Sequence, residues 1–295
     1  MKIAIFGATG LLGSNLVYSY MKEGLEVRGF SKSISKNATD NNTIIDFYNL
    51  DVELKKIFDI WKPDIVINTI ALINLQKCED NYQLAYETNV VITKTLCSIA
   101  KYYNSYFIHI STDHFYNDTK IKHNENDEVI LLNNYAKTKH QAEQEVLSIY
   151  DSSLIVRTNI IGFRKNNIDS FFEWLLHSIQ NNVQIQLFTN YFTSPISVKE
   201  LSPILLMCYE KRLSGIYNIS SREVIDKFHF GIKTAKRFGY PIKNIASTTL
   251  ENTQDKIQRA LTLGLDISKI EDKLQIQMPS IDETLNTLYK EYHEQ

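Results

Sequence analysis

The sequence predicts an α/β chain, a doubly wound parallel sheet carrying a smaller, mostly helical C-terminal lobe. Three observations lead there. An apolar run at the N-terminus, Ile3 to Phe6, breaks at Gly7 and passes through glycines spaced by three (Gly7, Gly10, Gly13) into a helical pattern. Short runs rich in Val, Ile and Phe then alternate with longer amphipathic segments. No hairpin signal separates those runs, so successive strands should lie parallel, joined by right-handed crossovers.

Each element follows from its own residues. After Gly13, Leu16, Val17, Tyr20 and Met21 recur at helical spacing, and Gly24 supplies a C-cap. Glu26 to Phe30 reads as the second strand, residues 31 to 42 as a polar loop, and Thr43 to Phe47 as the third strand. Val52, Leu54, Ile57, Phe58 and Trp61 mark a helix stopped by Pro63. Asp64 to Thr69 is a fourth strand of the fully buried type. One long helix is expected over 81 to 103, then the strand Tyr106 to Ile110, a helix over 134 to 150, and the strand Ser153 to Thr158. Beyond a soft boundary at residue 160 the rhythm loosens. Phe171, Phe172, Leu175, Leu176 and Ile179 form a helical face, and a turn at Ser194-Pro195 precedes a helix over 198 to 212. A strand from Gly215 to Ser220 and two or three mainly helical segments complete the chain. Residues 1–160 should therefore form the nucleotide-binding domain and 161–295 the substrate lobe, partly interleaved with it and packed over the carboxyl ends of the strands.

Composition narrows the function. The chain has 295 residues, 43% hydrophobic and 22% charged, with a formal net charge of −2. This is an ordinary globular balance, with no electrostatic case for nucleic acid or an anionic membrane. The three cysteines, Cys78, Cys97 and Cys208, are far apart and lack metal-ligand spacing, so they read as buried free thiols of a reducing compartment. The first apolar run is too short for a signal peptide and no stretch would span a bilayer, which points to the cytoplasm.

A strand, a glycine turn and a helix bring a helix N-terminus against a pyrophosphate. Gly7 permits the sharp turn, Gly10 the approach of backbone to phosphate, and Gly13 close packing of helix on strand. Thr9, Leu11 and Leu12 complete the cradle, and Thr69 and Ala71 beyond the fourth strand join the cofactor-contacting set. An acid at the end of the second strand would hold the 2′-hydroxyl of NAD. Here that end reads Phe30-Ser31-Lys32, a hydroxyl and an ammonium that suit a 2′-phosphate, so NADP is favoured and NAD is the alternative. Asp46 and Phe47, at the end of the third strand, stand where an adenine would be contacted.

The glycine pattern resembles the short-chain dehydrogenase/reductase superfamily, whose chemistry uses a Tyr-x-x-x-Lys pair. At i, i+4 spacing the phenol and the ammonium share one helix face, and the lysine can draw the phenol toward proton exchange near neutrality. Three such pairs occur, Tyr18/Lys22, Tyr116/Lys120 and Tyr135/Lys139. Only Tyr135/Lys139 opens a helix above the sheet, 23 residues after Thr112, a hydroxyl at the carboxyl end of the fifth strand. Ser111 competes with Thr112, because strand alternation sends one of the two to the core.

Further markers are Lys62 to Thr69, Lys77-Cys78-Glu79, Asn89, Ser111 to Phe115, Tyr135 to Lys139 and Ile155 to Thr158. Together they make the chain resemble the extended short-chain dehydrogenases, and within them the dTDP-4-dehydrorhamnose reductase family, over most of its length. The resemblance implies a Rossmann-type fold and hydride delivery to C4 of a nucleotide-linked 4-keto-6-deoxysugar. It implies that Tyr135 protonates the nascent alkoxide, Lys139 binds the nicotinamide ribose and tunes Tyr135, and Thr112 hydrogen-bonds the substrate oxygen. Asp113, His114 and Arg259 are the expected substrate contacts, with Arg259 on a diphosphate, and a homodimer is the assembly to test.

The substrate side departs from the family pattern. Its Asp-Gln-x-Gly-x-Pro-Thr segment is Asn190 to Ile196 here, and its Arg-Pro-x-x-Ser-x-Leu-Asp segment is Arg259 to Asp266, without the proline and serine. A dehydratase would want Thr-Asp-Glu, where this chain has Thr112-Asp113-His114. A sugar-nucleotide epimerase stays open, as does a 3,5-epimerase/4-reductase using Cys78 or His114 as proton carrier, Cys78 being better read as a packed thiol. The regulatory subunit of methionine adenosyltransferase resembles the same family, so a non-catalytic dinucleotide-binding subunit is a further reading.

Overall fold

The computed structural model describes residues 1–33, 42–47, 49–164, 169–252 and 257–294. Most of the polar loop expected over 31 to 42 lies outside them. The central sheet has seven strands: β1 (Lys2–Phe6), β2 (Glu26–Ser31), β3 (Asn42–Ile44), β4 (Ile65–Asn68), β5 (Tyr106–Ile110), β6 (Leu154–Arg157) and β7 (Gly215–Asn218). Their order is β7-β6-β5-β4-β1-β2-β3, and every neighbouring pair is parallel. The winding reverses between β1 and β4, which opens the crevice where ligands bind in such sheets.

Strict alternation builds two cores. Ile3 and Ile5 of β1, Ile65 and Ile67 of β4, and Tyr106, Ile108 and Ile110 of β5 face one layer. That layer holds α1 (Leu11–Lys22), with Leu16 and Tyr20, and a later helix, Val198–Glu210, with Leu201 and Leu205. Ala4, Phe6, Val66 and Phe107 face the opposite layer, with Leu54 and Phe58 of α2 (Leu50–Trp61) and Leu96 and Ala100 of a helix at Ile92–Tyr102. Both faces are thus apolar, as a wholly parallel sheet requires. A third cluster under the C-terminal lobe gathers Phe172, Leu175 and Ile179 with Phe230, Ile281 and Leu285. Strand β7 comes from beyond residue 160 and pairs with β6.

The long helix expected over 81 to 103 is present as a continuous helical run over residues 82–102, but it contains a wide turn and is preceded by an unexpected short helix. The chain forms α3 (Leu75–Asp80), α4 (Tyr82–Tyr86), a wide π-helical turn (Glu87–Val91) and α5 (Ile92–Tyr102). Asn81 separates the first two because its side chain accepts the Leu84 backbone N–H at 2.9 Å, a capping bond that competes with continuing the helix. Strand β3 is shorter than expected. Past Ile44 the Asp46 backbone N–H donates to Glu53, and the Asp46 carboxylate accepts from the Asn49 side chain, which turns the chain into α2. Several two-residue strands, among them Phe192–Thr193 and Ile196–Ser197, are too short to leave a periodic signal. Among the described residues no helix is long and apolar enough to cross a membrane.

Candidate functional site

β1 ends at Phe6, and Gly7 turns the chain with φ of 88°, a left-handed conformation costly for any residue with a Cβ. Gly13 is needed for space: a Cβ there would stand 2.7 Å from the Gly7 carbonyl carbon and 2.9 Å from Thr69 Oγ1. Gly10 donates its N–H to the Gly7 carbonyl at 2.9 Å and begins α1 with no side-chain cap. The N-terminal turn of α1, with Leu11 and Leu12, therefore presents backbone amides at the carboxyl end of β1, a geometry that fits a dinucleotide's pyrophosphate. Thr9 is half-buried in the same turn. The Thr69 hydroxyl donates to the Phe6 carbonyl at 2.7 Å, so its role is to brace the turn, and Ala71 lies half-buried in the loop after β4.

At the end of β2, Ser31 and Lys32 part company. The buried Ser31 hydroxyl donates to the Ser33 carbonyl at 2.7 Å. Lys32 is exposed, with its ammonium 5.6 Å from the centre of the Phe47 ring. Asp46 is exposed beside it.

The reacting end is built on β5 and on α6 (Asn134–Ile149). Asn133 caps α6 by accepting the Ala136 N–H at 2.9 Å, which sets Tyr135 in the first turn and Lys139 one turn on. Of the two hydroxyls after β5, Ser111 donates to the buried Glu143 carboxylate at 2.6 Å. Thr112 lies beside the Tyr135 phenol and accepts the His114 backbone N–H at 3.2 Å. Burial holds the Tyr135 phenol well above its usual range, and the Thr112 hydroxyl opposes this. Burial also pushes the Lys139 ammonium down to about 8, with the Glu143 charge opposing. The other two Tyr/Lys pairs are elsewhere: Tyr18 is half exposed on the outside of α1, and the buried Tyr116 accepts from Arg157 at 2.7 Å and stacks on His123.

Around this centre lies a cluster of buried polar side chains. Asp113 is buried and accepts from the Asn159 amide at 2.6 Å, and burial raises its carboxyl. His114 packs edge-on against Tyr135, with ring centroids 5.6 Å apart, and its Nε2 is 3.3 Å from the Tyr191 hydroxyl. Burial lowers the affinity of His114 for a proton, and the Lys227 and Arg259 charges act in the same direction, so both cations adjoin this cluster. Cys78 is a packed thiol: it donates to the Leu72 carbonyl at 3.3 Å, and burial raises it to about 11.

The two segments that depart from the family pattern run side by side, Phe192 pairing with Thr262 and Thr193 with Leu263. This pairing sets Tyr191 against Ala260, next to Arg259, which precedes a strand and sits on no helix. Asp266 is structural, accepting the Ser268 N–H at 2.8 Å.

Sequence reasoning missed six residues. Asn68 and His109, fully buried polar side chains on adjacent strands, are in register with one another and lead to Lys139. Glu143 and Arg157 form a buried ion pair below Ser111, with Nη2 2.7 Å from Oε2. Tyr191 and Lys227 belong to the polar cluster, the Lys227 ammonium standing 4.4 Å from the Phe171 ring centre and 5.5 Å from that of Tyr191. The legible signal was a polar residue at an inward position of an apolar strand, which marks Asn68 and His109. Tyr191 falls in the segment Asn190 to Ile196 that departs from the family pattern, whereas Lys227 belongs to no motif. Among the described residues no cluster of His, Cys, Asp and Glu suits a metal ion.

A family model described as "RmlD substrate binding domain" matches residues 1–294. A dTDP-4-dehydrorhamnose reductase of Aggregatibacter actinomycetemcomitans is 25% identical over 94% of this chain and 94% of its own. The methionine adenosyltransferase 2 subunit beta of Xenopus laevis is 25% identical over 90% of this chain and 80% of its own. Among solved structures, a dTDP-4-dehydrorhamnose reductase from Bacillus anthracis in complex with NADP superposes with a TM-score of 0.87 at 20% identity, covering 98% of this chain and 99% of that one.

Proposed function

This chain belongs to the RmlD substrate binding domain family, and from that premise we propose that it is an NADPH-dependent reductase of a nucleotide-linked 4-keto-6-deoxysugar. The observation that carries the reading is the convergence of Thr112 and the Tyr135 phenol, with Lys139 one helical turn away, at the same carboxyl end of the sheet as the uncapped glycine turn. The bound dinucleotide supplies the hydride to C4, and the remaining steps belong to the chain's own residues. Gly7 to Gly13 hold the pyrophosphate on backbone amides. Among the described residues, Lys32 is an exposed cation at the end of β2 available to a 2′-phosphate. Asp46 and Phe47 border the adenine side.

Tyr135 is the proton donor. Burial keeps its phenol protonated at neutral pH, the state in which it can protonate an alkoxide as the alkoxide forms. Thr112 orients the phenol and shares the substrate oxygen, and Lys139 holds the nicotinamide ribose. On the sugar side, Asp113, His114 and Tyr191 offer hydrogen bonds, while Lys227 and Arg259 supply positive charge for an anionic nucleotide sugar.

The test follows NADPH consumption with a panel of nucleotide-linked 4-keto-6-deoxysugars. Turnover of at least one is expected, and Tyr135→Phe should lower kcat by about 10²–10⁴ while NADPH still binds. Tight dinucleotide binding without turnover of any sugar supports the non-catalytic subunit, to which the adenosyltransferase relative also points. Epimerised product without net NADPH consumption supports an epimerase.

A further inference from the structure

A second proton-handling group stands against the Tyr135 ring. His114, two residues beyond Thr112, packs on it edge-on with centroids 5.6 Å apart. Its Nε2 faces two oxygens, the Tyr191 hydroxyl at 3.3 Å and Asp113 Oδ1 at 4.0 Å. The Asp113 carboxylate is otherwise met by donors, the Asn159 amide at 2.6 Å and the Thr112 hydroxyl at 3.4 Å. A carboxylate on that side draws the imidazole proton to Nε2, where the Tyr191 oxygen accepts it. Nδ1 then carries the lone pair. That atom is buried and has no hydrogen-bond partner among the described residues, and an orphaned buried nitrogen marks a place where a ligand or a reaction supplies the partner.

Of the two proton carriers that the sequence offers, Cys78 is engaged with the Leu72 carbonyl, which leaves His114. The charges around the ring make it responsive to substrate. Burial lowers its affinity for a proton, Asp113 raises it, and Lys227 and Arg259 lower it again. A nucleotide diphosphate held by those two cations would offset their effect and leave Asp113 as the counter-charge of an imidazolium.

We propose that His114 is the catalytic base of a second activity at this site, removal of a proton from a carbon next to the keto group, with Tyr135 as the acid on the keto oxygen. The inference deepens the reductase reading and rests on it for the ketone held at Tyr135. In the step, His114 Nδ1 takes the proton and the C–H electron pair becomes a carbon–carbon double bond. The carbonyl pair moves onto oxygen, which takes the Tyr135 proton, and the product is an enol. No oxidant or reductant is consumed. In the reverse direction, His114 returns a proton exchanged with water, so the carbon is labelled. Return from the opposite face, by water or a second donor, inverts it.

The experiment incubates the panel of nucleotide-linked 4-keto-6-deoxysugars with the protein in D₂O and with NADP⁺, which has no hydride to give. Proton NMR follows the hydrogens on C3 and C5. For at least one sugar, one of these signals should disappear at least about tenfold faster than without protein. His114→Gln keeps a hydrogen-bonding side chain and loses the base. Its exchange should fall by about 10²–10⁴, and by at least about tenfold more than NADPH-dependent reduction of the same sugar. Equal losses in the two reactions mean that His114 only binds the sugar, and overturn the proposal. A wild type that reduces a sugar without exchanging it also overturns the proposal; this arm needs no variant to fold and leaves the reductase reading intact. Exchange without reduction removes the reductase reading and upholds the base.

Discussion

Replacing Glu143 by Gln probes the support beneath the reacting end. The carboxylate is buried, yet it stays charged below the usual carboxylate range. Burial works against this, but the His140 ring 3.8 Å away and hydrogen bonds from Arg157 and Ser111 outweigh it. Arg157 reaches it through Nε at 3.0 Å and Nη2 at 2.7 Å, and Ser111 donates at 2.6 Å. A glutamine keeps one oxygen and turns an NH₂ toward donors, leaving the Arg157 charge buried with no counter-charge. Breaking one partner of such a pair costs about 3–5 kcal/mol. At about 3 kcal/mol per molar urea, the unfolding midpoint should fall by more than about 1 M. Exchanging both partners, Glu143→Leu with Arg157→Met, should cost clearly less than the two single changes summed. A Gln variant within about 1 kcal/mol of wild type, the span of an exposed ion pair, would refute the reasoning.

Further expectations follow from the same geometry. Ser111→Ala should leave kcat within a few-fold of wild type, whereas Thr112→Val should lower it by about 10–100-fold; steady-state kinetics of the pair decide, and equal losses would break the distinction. Gly13→Ala forces a Cβ onto the Gly7 backbone and should lose about 1–3 kcal/mol of stability together with dinucleotide affinity. Gly10→Ala, whose Cβ would meet only the Gly7 carbonyl at 3.3 Å, should fold normally and lose affinity alone, which calorimetric titration and melting can separate. Lys139 and Lys227 are both pushed down to about 8 by burial, so between about pH 8 and 10.4 each binds fewer protons folded than unfolded and contributes stability that rises with pH. The buried thiols, raised by burial to about 11 in Cys78 and about 12 in Cys97 and Cys208, contribute the opposite slope. The stability of wild type relative to a Lys139→Met/Lys227→Met variant should therefore rise with pH across that window in urea titrations, and a difference that does not change with pH contradicts this assignment.

Much of the sheet was legible because its determinants are local. Strands β1, β4, β5 and β6 are apolar runs bounded by glycine or polar residues, and a run of Ile65-Val66-Ile67 needs no partner to be recognised. The glycine turn and the Tyr135/Lys139 pair were readable for the same reason, since their spacing is itself the geometry. Ser111 and Thr112 could not be ranked without knowing which faced Glu143, a residue on another element. Lys227 was illegible, and Tyr191 visible only as part of a departing segment, because both meet the site through tertiary folding from far along the chain. The helical run over 81 to 103 was legible from its apolar period, with Asn81 capping its start, but the short helix Leu75–Asp80 and the wide turn at Glu87–Val91 left no periodic signal of their own.

The wide turn at Glu87–Val91 makes this site depend on the length of its chain as well as on its residues. Asn89, within that turn, fastens both backbone groups of Leu72 and donates to Thr138 on α6 at 3.0 Å, between Tyr135 and Lys139. Removing one residue there would return the segment to α-helical winding and swing the preceding residues by about 100° around the axis. A single-codon deletion could thus uncouple Leu72 from α6 while every named site residue stayed in the sequence.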